Sequence, residues 1–194
     1  MQQPIVISGA GILGCYISCA LSLQGIDSIV LEKKDDEVED SVRTITLNPF
    51  SKNLLDKIGI ENDYSMINKM EVKDFDGTGK IVFKISEIGM DHLAYVSDFA
   101  TLLMAVRKKA SEKILYKEEI IDIDKKGDLN EVTLSSGKVI KTNLIISSDG
   151  KNSKLANKIP KSDKDYFQTA LTFLASAEKD MNMSCLLYTS DAAD

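Results

Sequence analysis

The chain has 194 residues, of which 24 are basic and 30 acidic, so its formal net charge is −6 at neutral pH. This length suits one ordinary domain or part of a larger protein, and the apolar fraction of 43% is enough to build a core. Because the basic residues are scattered among acidic ones, nucleic acid is not expected as a partner.

The three cysteines are too few and too unevenly placed for a disulfide framework, and they have no histidine cluster beside them that would complete a metal site. Cys15 and Cys19 would share a helix face, where small buried thiols are commoner than metal or redox sites. His92 has no partner in the sequence pattern, and no catalytic residue is assigned. A reducing compartment, the cytoplasm, is therefore expected.

An uncharged stretch opens the chain, since VISGAGILGCYISCALSLQGIDSIVLEK (residues 6–33) carries no charge before Asp27. Its length suggests a membrane span, but it lacks a basic flank and contains several glycines. We therefore expect neither a spanning helix nor a signal peptide here.

The same stretch has the pattern of a strand, a helix and a second strand. Residues 4–8 form a short apolar run, and apolar positions from Ile12 to Leu23 then recur at helical spacing until Gly25. Residues 28–32, SIVLE, are rich in branched side chains and predict a buried parallel strand. The sequence thus predicts one complete strand–helix–strand segment.

Gly9, Gly11 and Gly14 match the G-x-G-x-x-G pattern between this first strand and the helix. The first glycine permits a tight turn, the second lets a diphosphate approach the backbone, and the third allows close packing of helix on strand. Glu32, at the end of the second strand, can accept hydrogen bonds from a ribose. A dinucleotide site is favoured over a merely structural turn because all these features agree.

The rest of the chain mixes helices with short strands. The predicted elements are an exposed charged loop at 33–43, a helix at 49–60, two strands around DGTGK between 69 and 85, a helix at 98–110, several short strands between 113 and 148, and a further element at 165–179. The last fits a helix or a strand by periodicity, and its aromatic and threonine content favours a strand.

Four segments together resemble the FAD-dependent aromatic hydroxylases, and among these the ubiquinone-biosynthesis hydroxylases of polyprenyl phenols. The segments are VISGAGILG with Glu32, RTITLNPFSKNLLDKIGI, LAYVSDFATLLMAV, and LIISSDGKNSKL, which is similar to the family's ADGxxSxxR motif. The resemblance covers residues 4 to about 179. It implies an α/β fold, with a Rossmann-like FAD-binding domain that has a parallel sheet and antiparallel crossover strands, and with an incomplete second, substrate domain.

The resemblance also implies FAD as the cofactor, with Gly9, Gly11, Gly14 and Glu32 holding its ADP half and NAD(P)H serving as co-substrate. The family motifs place Arg43 near the cofactor, although from the residues alone it could instead neutralise the acidic run at 35–40. Asp149 and Gly150 match the family's DG pair, which serves FAD and the pyridine nucleotide; without the resemblance they would be an ordinary turn.

The activity implied is hydroxylation of a small aromatic or prenylated phenol in ubiquinone biosynthesis by the parent protein, which can associate peripherally with the inner membrane. Two alternatives stay open: another FAD-dependent oxidoreductase of this fold, either a reductase or a halogenase, and a non-catalytic dinucleotide-binding fragment. The fragment alone is expected to be inactive. Its oligomeric state is not predicted.

The last ten residues, CLLYTSDAAD, resemble a translated transposon adaptor of sequencing libraries. Residues 185–194 are therefore expected to be a non-native tail that carries no function. Residues 1–184 are then expected to be the N-terminal part of an FAD-binding monooxygenase, with substrate-domain strands at about 69–85 and 165–179.

Overall fold

A computed structural model describes residues 3–38, 42–74, 78–150 and 184–189, together with Ser153, Leu155 and Ser176. The chain divides into two units. The first contains the N-terminal strand–helix–strand segment, residues 58–60 and the segment that begins at residue 100. The second contains residues 42–57, 61–99 and 184–189.

Helices and strands follow one another in this chain order: β1 (Ile5–Ser8), α1 (Ile12–Leu23), β2 (Ser28–Glu32), β3 (Thr44–Leu47), α2 (Pro49–Lys57), β4 (Ser65–Ile67), β5 (Lys69–Asp74), β6 (Lys80–Lys84), α3 (Ile85–Ile88), β7 (Ala94–Asp98), α4 (Phe99–Lys109), β8 (Ile114–Tyr116), β9 (Ile120–Lys126), β10 (Leu129–Leu134), β11 (Val139–Thr142), β12 (Ile145–Ser147) and β13 (Ser184–Thr189).

A four-stranded parallel sheet organises the first unit, with the order β12-β1-β2-β8. Val6 and Ile7 of β1 and Val30 of β2 are fully buried, as expected for strands covered on both faces. The strand–helix–strand prediction is confirmed, and both strands end within a residue of their predicted limits. The carboxyl ends of β1, β2 and β12 therefore lie along one edge of the sheet.

An antiparallel sheet, β11-β10-β9, forms the crossover that precedes β12. Its apolar side chains share a buried cluster with the parallel sheet: Val6 and Leu31 pack with Ile120, Val132 and Leu134. The predicted α/β fold with a parallel sheet and antiparallel crossover strands is thus confirmed.

Helix α1 packs through its smallest side chains. Its buried positions are Gly14, Cys15, Ser18 and Cys19, and the Ser18 hydroxyl lies 2.8 Å from the hydroxyl of Ser28 on β2. Burial raises the pKa of the Cys15 thiol to about 12, although the nearby Arg107 guanidinium opposes the shift. Both thiols therefore lie on the packed face of this helix.

The second unit contains a hairpin at the predicted position. Strands β5 and β6 pair antiparallel, with Met70 opposite Phe83 and Val72 opposite Ile81. The backbone of β13 pairs with β5 in parallel, so residues 185–189 of the predicted non-native tail take part in a sheet. Backbone pairing at a strand edge needs no particular side chains, so the origin of the tail stays a prediction.

A second sheet of this unit, β3-β7-β4, was not expected from the sequence. The helix that follows β3 was expected: Asn48 Oδ1 accepts a hydrogen bond from the Ser51 amide at 2.7 Å, and α2 begins at Pro49. His92 has a structural setting, because its Nδ1 lies 2.6 Å from Asn68 Oδ1 and its ring packs edge-on against Tyr95.

The predicted strand at 165–179 lies outside the described residues, apart from Ser176. Among the residues that the structure does describe, no helix has the length and apolar character needed to cross a bilayer.

Candidate cofactor site

A cavity of about 310 Å³ opens at the carboxyl edge of the parallel sheet, within the first unit. Its walls come from the glycine turn, the end of β2, helix α4, the segment after β8 and the segment after β12. The lining residues are Ser8, Gly9, Gly11, Leu31, Glu32, Lys33, Arg107, Glu118, Glu119, Ile120, Ser148, Asp149, Gly150 and Leu155. The structure therefore brings together five of the seven residues singled out in the sequence, leaving Gly14 beneath the turn and Arg43 in the second unit.

The inner side of the glycine turn lies against backbone. Gly9 has φ +98, and a Cβ atom there would lie 2.8 Å from Asp149 Cα. A Cβ atom on Gly14 would overlap the Gly9 carbonyl oxygen and lie 2.6 Å from Ser148 Oγ. Both positions thus exclude larger residues for reasons internal to the fold.

The outer side of the same turn faces open space at Gly11. A Cβ atom on this residue would have no protein atom within 4 Å, and Gly11 lines the cavity. Gly11 is also the N-cap of α1, whose first turn has no side-chain cap and no acidic residue. The amide groups at this helix start are therefore available to an anion.

Glu32 is held by hydrogen bonds on both carboxylate oxygens. Its Oε2 accepts from the Ala10 amide at 3.0 Å, and its Oε1 accepts from the Lys34 amide at 3.0 Å. Its backbone carbonyl accepts from the Glu118 amide at 3.0 Å. Only 12% of the side chain is exposed, so the carboxylate is fixed at the wall of the cavity rather than turned into solvent.

Arg107, on the last turn of α4, is a site residue that the sequence did not predict. Its Nε donates to the Ala10 carbonyl at 2.9 Å, and its Nη2 lies 3.5 Å from Glu32 Oε2. The guanidinium also lies over the Tyr116 ring, 5.9 Å from its centroid. The available signal was a single arginine following the apolar run of a helix, which by itself points to a helix C-terminus.

The Asp149–Gly150 pair forms another part of the cavity wall, shortly after β12. Asp149 Oδ1 accepts from Ser147 Oγ and Oδ2 accepts from Ser153 Oγ, both at 3.1 Å. Gly150 has φ +77, a conformation that favours glycine. Ser148 instead reaches back to the glycine turn, donating to the carbonyls of Ser8 at 2.8 Å and Gly9 at 3.0 Å.

Arg43 lies in the second unit, before β3. Its guanidinium carbon is 4.2 Å from the centroid of the Phe99 ring, and its carbonyl accepts a hydrogen bond from the Phe99 amide at 3.0 Å. The aromatic face holds the side chain by a cation–π contact. The predicted role of Arg43 beside a cofactor stays a prediction.

The cavity has the parts that an adenine dinucleotide requires. Open space at Gly11 and the uncapped start of α1 suit a diphosphate, because backbone amides can approach the phosphate oxygens. The fixed carboxylate of Glu32 suits the hydroxyl groups of a ribose, since an ionised carboxylate only accepts hydrogen bonds. The residues present therefore fit the ADP half of FAD.

Comparison with known proteins agrees with this geometry. Residues 2–191 match the family described as FAD binding domain, and the chain belongs to that family. Two curated relatives are each 26% identical: the zebrafish (Danio rerio) protein "Ubiquinone biosynthesis monooxygenase COQ6, mitochondrial", over 86% of this chain, and the Escherichia coli K12 protein "3-demethoxyubiquinol 3-hydroxylase", over 79%.

Solved structures share the fold. A crystal structure of a substituted variant of P. aeruginosa PqsL superposes with a TM-score of 0.72 at 20% identity, covering 86% of this chain and 48% of that protein. The two curated relatives are longer than this chain, which spans 40% of the zebrafish protein and 43% of the Escherichia coli protein.

Proposed function

We propose that this chain binds FAD in the cavity at the glycine turn, and that the whole protein is an FAD-dependent monooxygenase. The proposed substrate class is an aromatic polyprenyl phenol of ubiquinone biosynthesis, hydroxylated with oxygen and NAD(P)H. Family membership and the names of the two curated relatives support this reading. The observation that carries it is the fixed Glu32 carboxylate beside an open glycine turn.

The ADP half of FAD has proposed partners on this chain. The diphosphate would lie against Gly11 and the first amides of α1, where a side chain would take up the space it needs. The ribose of the adenosine would donate to Glu32. Such a carboxylate disfavours a ribose that bears a phosphate, because two negative groups would meet in a partly dry site.

The remaining predicted residues are proposed to serve the rest of the cofactor. Asp149 and Gly150 follow β12 on the cavity wall, where the carboxylate can accept hydrogen bonds from ribityl hydroxyl groups and the backbone amide can donate to a phosphate oxygen. Arg43 presents a planar guanidinium of the kind that suits phosphate or ribityl oxygens. For Arg43 the support is its place in the RTITLNPFSKNLLDKIGI segment.

Bound FAD supplies the redox and oxygen chemistry, which no amino-acid side chain provides. The residues of this chain then bind and orient it: the turn receives the diphosphate, and Glu32 fixes the adenosine end. Because the relatives are more than twice as long, turnover is proposed for the whole protein and not for the 194-residue chain.

Ligand titration of the purified chain tests the cofactor assignment. We expect FAD to bind with a visible flavin spectrum and more tightly than FMN, since FMN lacks the adenosine that Glu32 would hold. The substitution Glu32→Ala should weaken FAD binding by about tenfold, which corresponds to the loss of one hydrogen bond to a charged group. The affinity for FMN should stay unchanged. Selective binding of NAD without any flavin would contradict the proposal.

The activity needs the full-length protein. We expect NAD(P)H oxidation and oxygen uptake that rise when a prenylated phenol is added, with a hydroxylated product that mass spectrometry identifies by the gain of one oxygen atom. Oxidation of NAD(P)H with no oxygenated product would favour a reductase, and halogen incorporation would favour a halogenase.

A further inference from the structure

The contact between Arg107 and Glu32 joins three distant parts of the chain at one point. Arg107 comes from α4, Glu32 ends β2, and Ala10 lies inside the glycine turn. The Ala10 amide donates to Glu32 while the Ala10 carbonyl accepts from Arg107, so one peptide residue bridges the two charged side chains. Both side chains are 12% exposed, which limits screening of their charges by water.

Glu32 alone has rotational freedom that would weaken it as a ribose acceptor. The backbone amides of Ala10 and Lys34 each donate one hydrogen bond to the Glu32 carboxylate, Ala10 to Oε2 and Lys34 to Oε1. Arg107 adds a cation on the Oε2 side, and its own position is set by the Ala10 carbonyl and the Tyr116 ring. A carboxylate held in this way keeps acceptor sites at a constant orientation.

We propose that Arg107 is a positioning residue that sets the Glu32 carboxylate for the 2′-hydroxyl of an adenine ribose. The inference rests on the proposed function, since it assumes that Glu32 binds this ribose. We assign Arg107 an action through Glu32 because two of its three nitrogens, Nε and Nη2, face the Ala10 carbonyl and the carboxylate. The experiment below distinguishes this action from direct contact with a ligand.

The test compares ADP with 2′-deoxy-ADP, measured by isothermal titration calorimetry on the 194-residue chain. The unaltered chain should prefer ADP by about tenfold or more, the effect of one hydrogen bond to a carboxylate. In Arg107→Gln that preference should fall to about threefold or less, because a neutral side-chain amide replaces the guanidinium cation beside Glu32. If the role of Arg107 were purely structural, the substitution would weaken the binding of both ligands by the same factor. The ratio of their dissociation constants would then stay unchanged.

Three further variants sharpen the result. Lys108→Gln removes the same charge from an exposed position on the same helix turn and should keep the tenfold preference. In a Glu32→Gln background, which itself loses the preference, adding Arg107→Gln should change the ratio no further. Should Arg107→Gln fail to fold, Arg107→Lys replaces it: lysine keeps a cation but loses the Nε bond to Ala10, and an intermediate preference is expected.

The outcomes separate this inference from the proposed function. An unchanged ratio in Arg107→Gln, or an equal loss for both ligands, overturns the positioning role. Additive effects of Arg107→Gln and Glu32→Gln overturn the claim that Arg107 acts through the carboxylate. Binding of ADP without binding of FAD overturns the flavin assignment alone, while no ADP binding by the unaltered chain overturns the ribose site and this inference with it.

Discussion

Gly11 and Gly14 stand three residues apart in one turn, yet a Cβ atom would meet open space at the first and the Gly9 carbonyl at the second. The inner side of the turn, where Gly9 and Gly14 contact backbone, is required by the fold, although Gly9 also borders the cavity. The outer side, where Gly11 and Glu32 line the cavity, is part of the candidate site. A glycine motif thus combines two requirements that substitutions can separate.

The inner side should give the largest effect on stability. Gly14→Ala places a methyl group against the Gly9 carbonyl and Ser148 Oγ. The higher helix propensity of alanine stabilises the fold by about 1 kcal/mol, but forcing the backbones apart destabilises it by about 3 kcal/mol. The net effect is therefore destabilising. Urea denaturation should show a net loss of about 2 kcal/mol or more in the free energy of unfolding.

Gly11→Ala is the matched control for that experiment. The backbone of Gly11 is extended, with φ −75, and the added methyl group would contact no protein atom. Its free energy of unfolding should therefore stay within about 0.5 kcal/mol of the unaltered chain. Equal destabilisation by the two substitutions would remove the distinction between the inner and outer sides.

The outer side should give the largest effect on binding. Gly11→Val fills the space proposed for the diphosphate and so prevents close contact with the α1 amides. Loss of one or two charge-assisted hydrogen bonds corresponds to about 100-fold weaker FAD binding. Flavin titration measures the loss, and circular dichroism should show an unchanged fold. Full flavin affinity in this variant would contradict the assignment of Gly11 to the diphosphate.

The two sides of the turn also differ in how far the sequence predicts them. The strand–helix–strand segment is local: its apolar periodicity, the glycines and Glu32 lie within residues 4–32, and the structure confirms its limits. Arg107 is not local. It meets Glu32 and Ala10 across 75 and 97 residues of sequence, and no periodic pattern encodes such a contact.

The unexpected sheet of the second unit has the same cause. Strand β7 pairs with β3 and with β4, bringing Ile45 opposite Ser97 and Met66 opposite Tyr95. These strands are three to five residues long and partly exposed, so they lack the apolar runs that identify buried strands. Their pairing depends on contacts between segments, whereas the β5–β6 hairpin was predicted from its own turn and alternation.

The packing of the buried face of α1 can be measured through the alkaline titration of Cys15, the residue that follows Gly14. Its folded pKa is about 12 against an ordinary value of 9.0, so above pH 9 the unfolded chain releases a proton that the folded chain keeps. The contribution of this thiol to the free energy of unfolding is fully present below pH 9. It is lost as the pH rises from 9 towards 12. The slope approaches about 1.4 kcal/mol per pH unit.

The measurement is urea denaturation at several pH values between 8 and 11, on the unaltered chain and on Cys15→Ala. The alanine variant should be less stable at pH 8, because it loses buried contacts, and should have a shallower decline above pH 9. Parallel declines in the two proteins would mean that the Cys15 thiol ionises as readily in the folded chain as in the unfolded one.

Removing the Ser148 hydroxyl should have the smallest effect on the free energy of unfolding, because one of its two acceptors has a second donor. Its hydroxyl donates to the Ser8 and Gly9 carbonyls, but the Ser8 carbonyl also accepts from the Ser148 amide at 2.8 Å. Ser148→Ala therefore leaves mainly the Gly9 carbonyl short of a partner, at a cost of about 1 kcal/mol. Because Ser148 also borders the cavity, flavin titration accompanies urea denaturation of this variant. A loss of flavin affinity as large as that in Gly11→Val would mean that Ser148 serves binding as well as folding, and the two could no longer be assigned to separate sides of the turn.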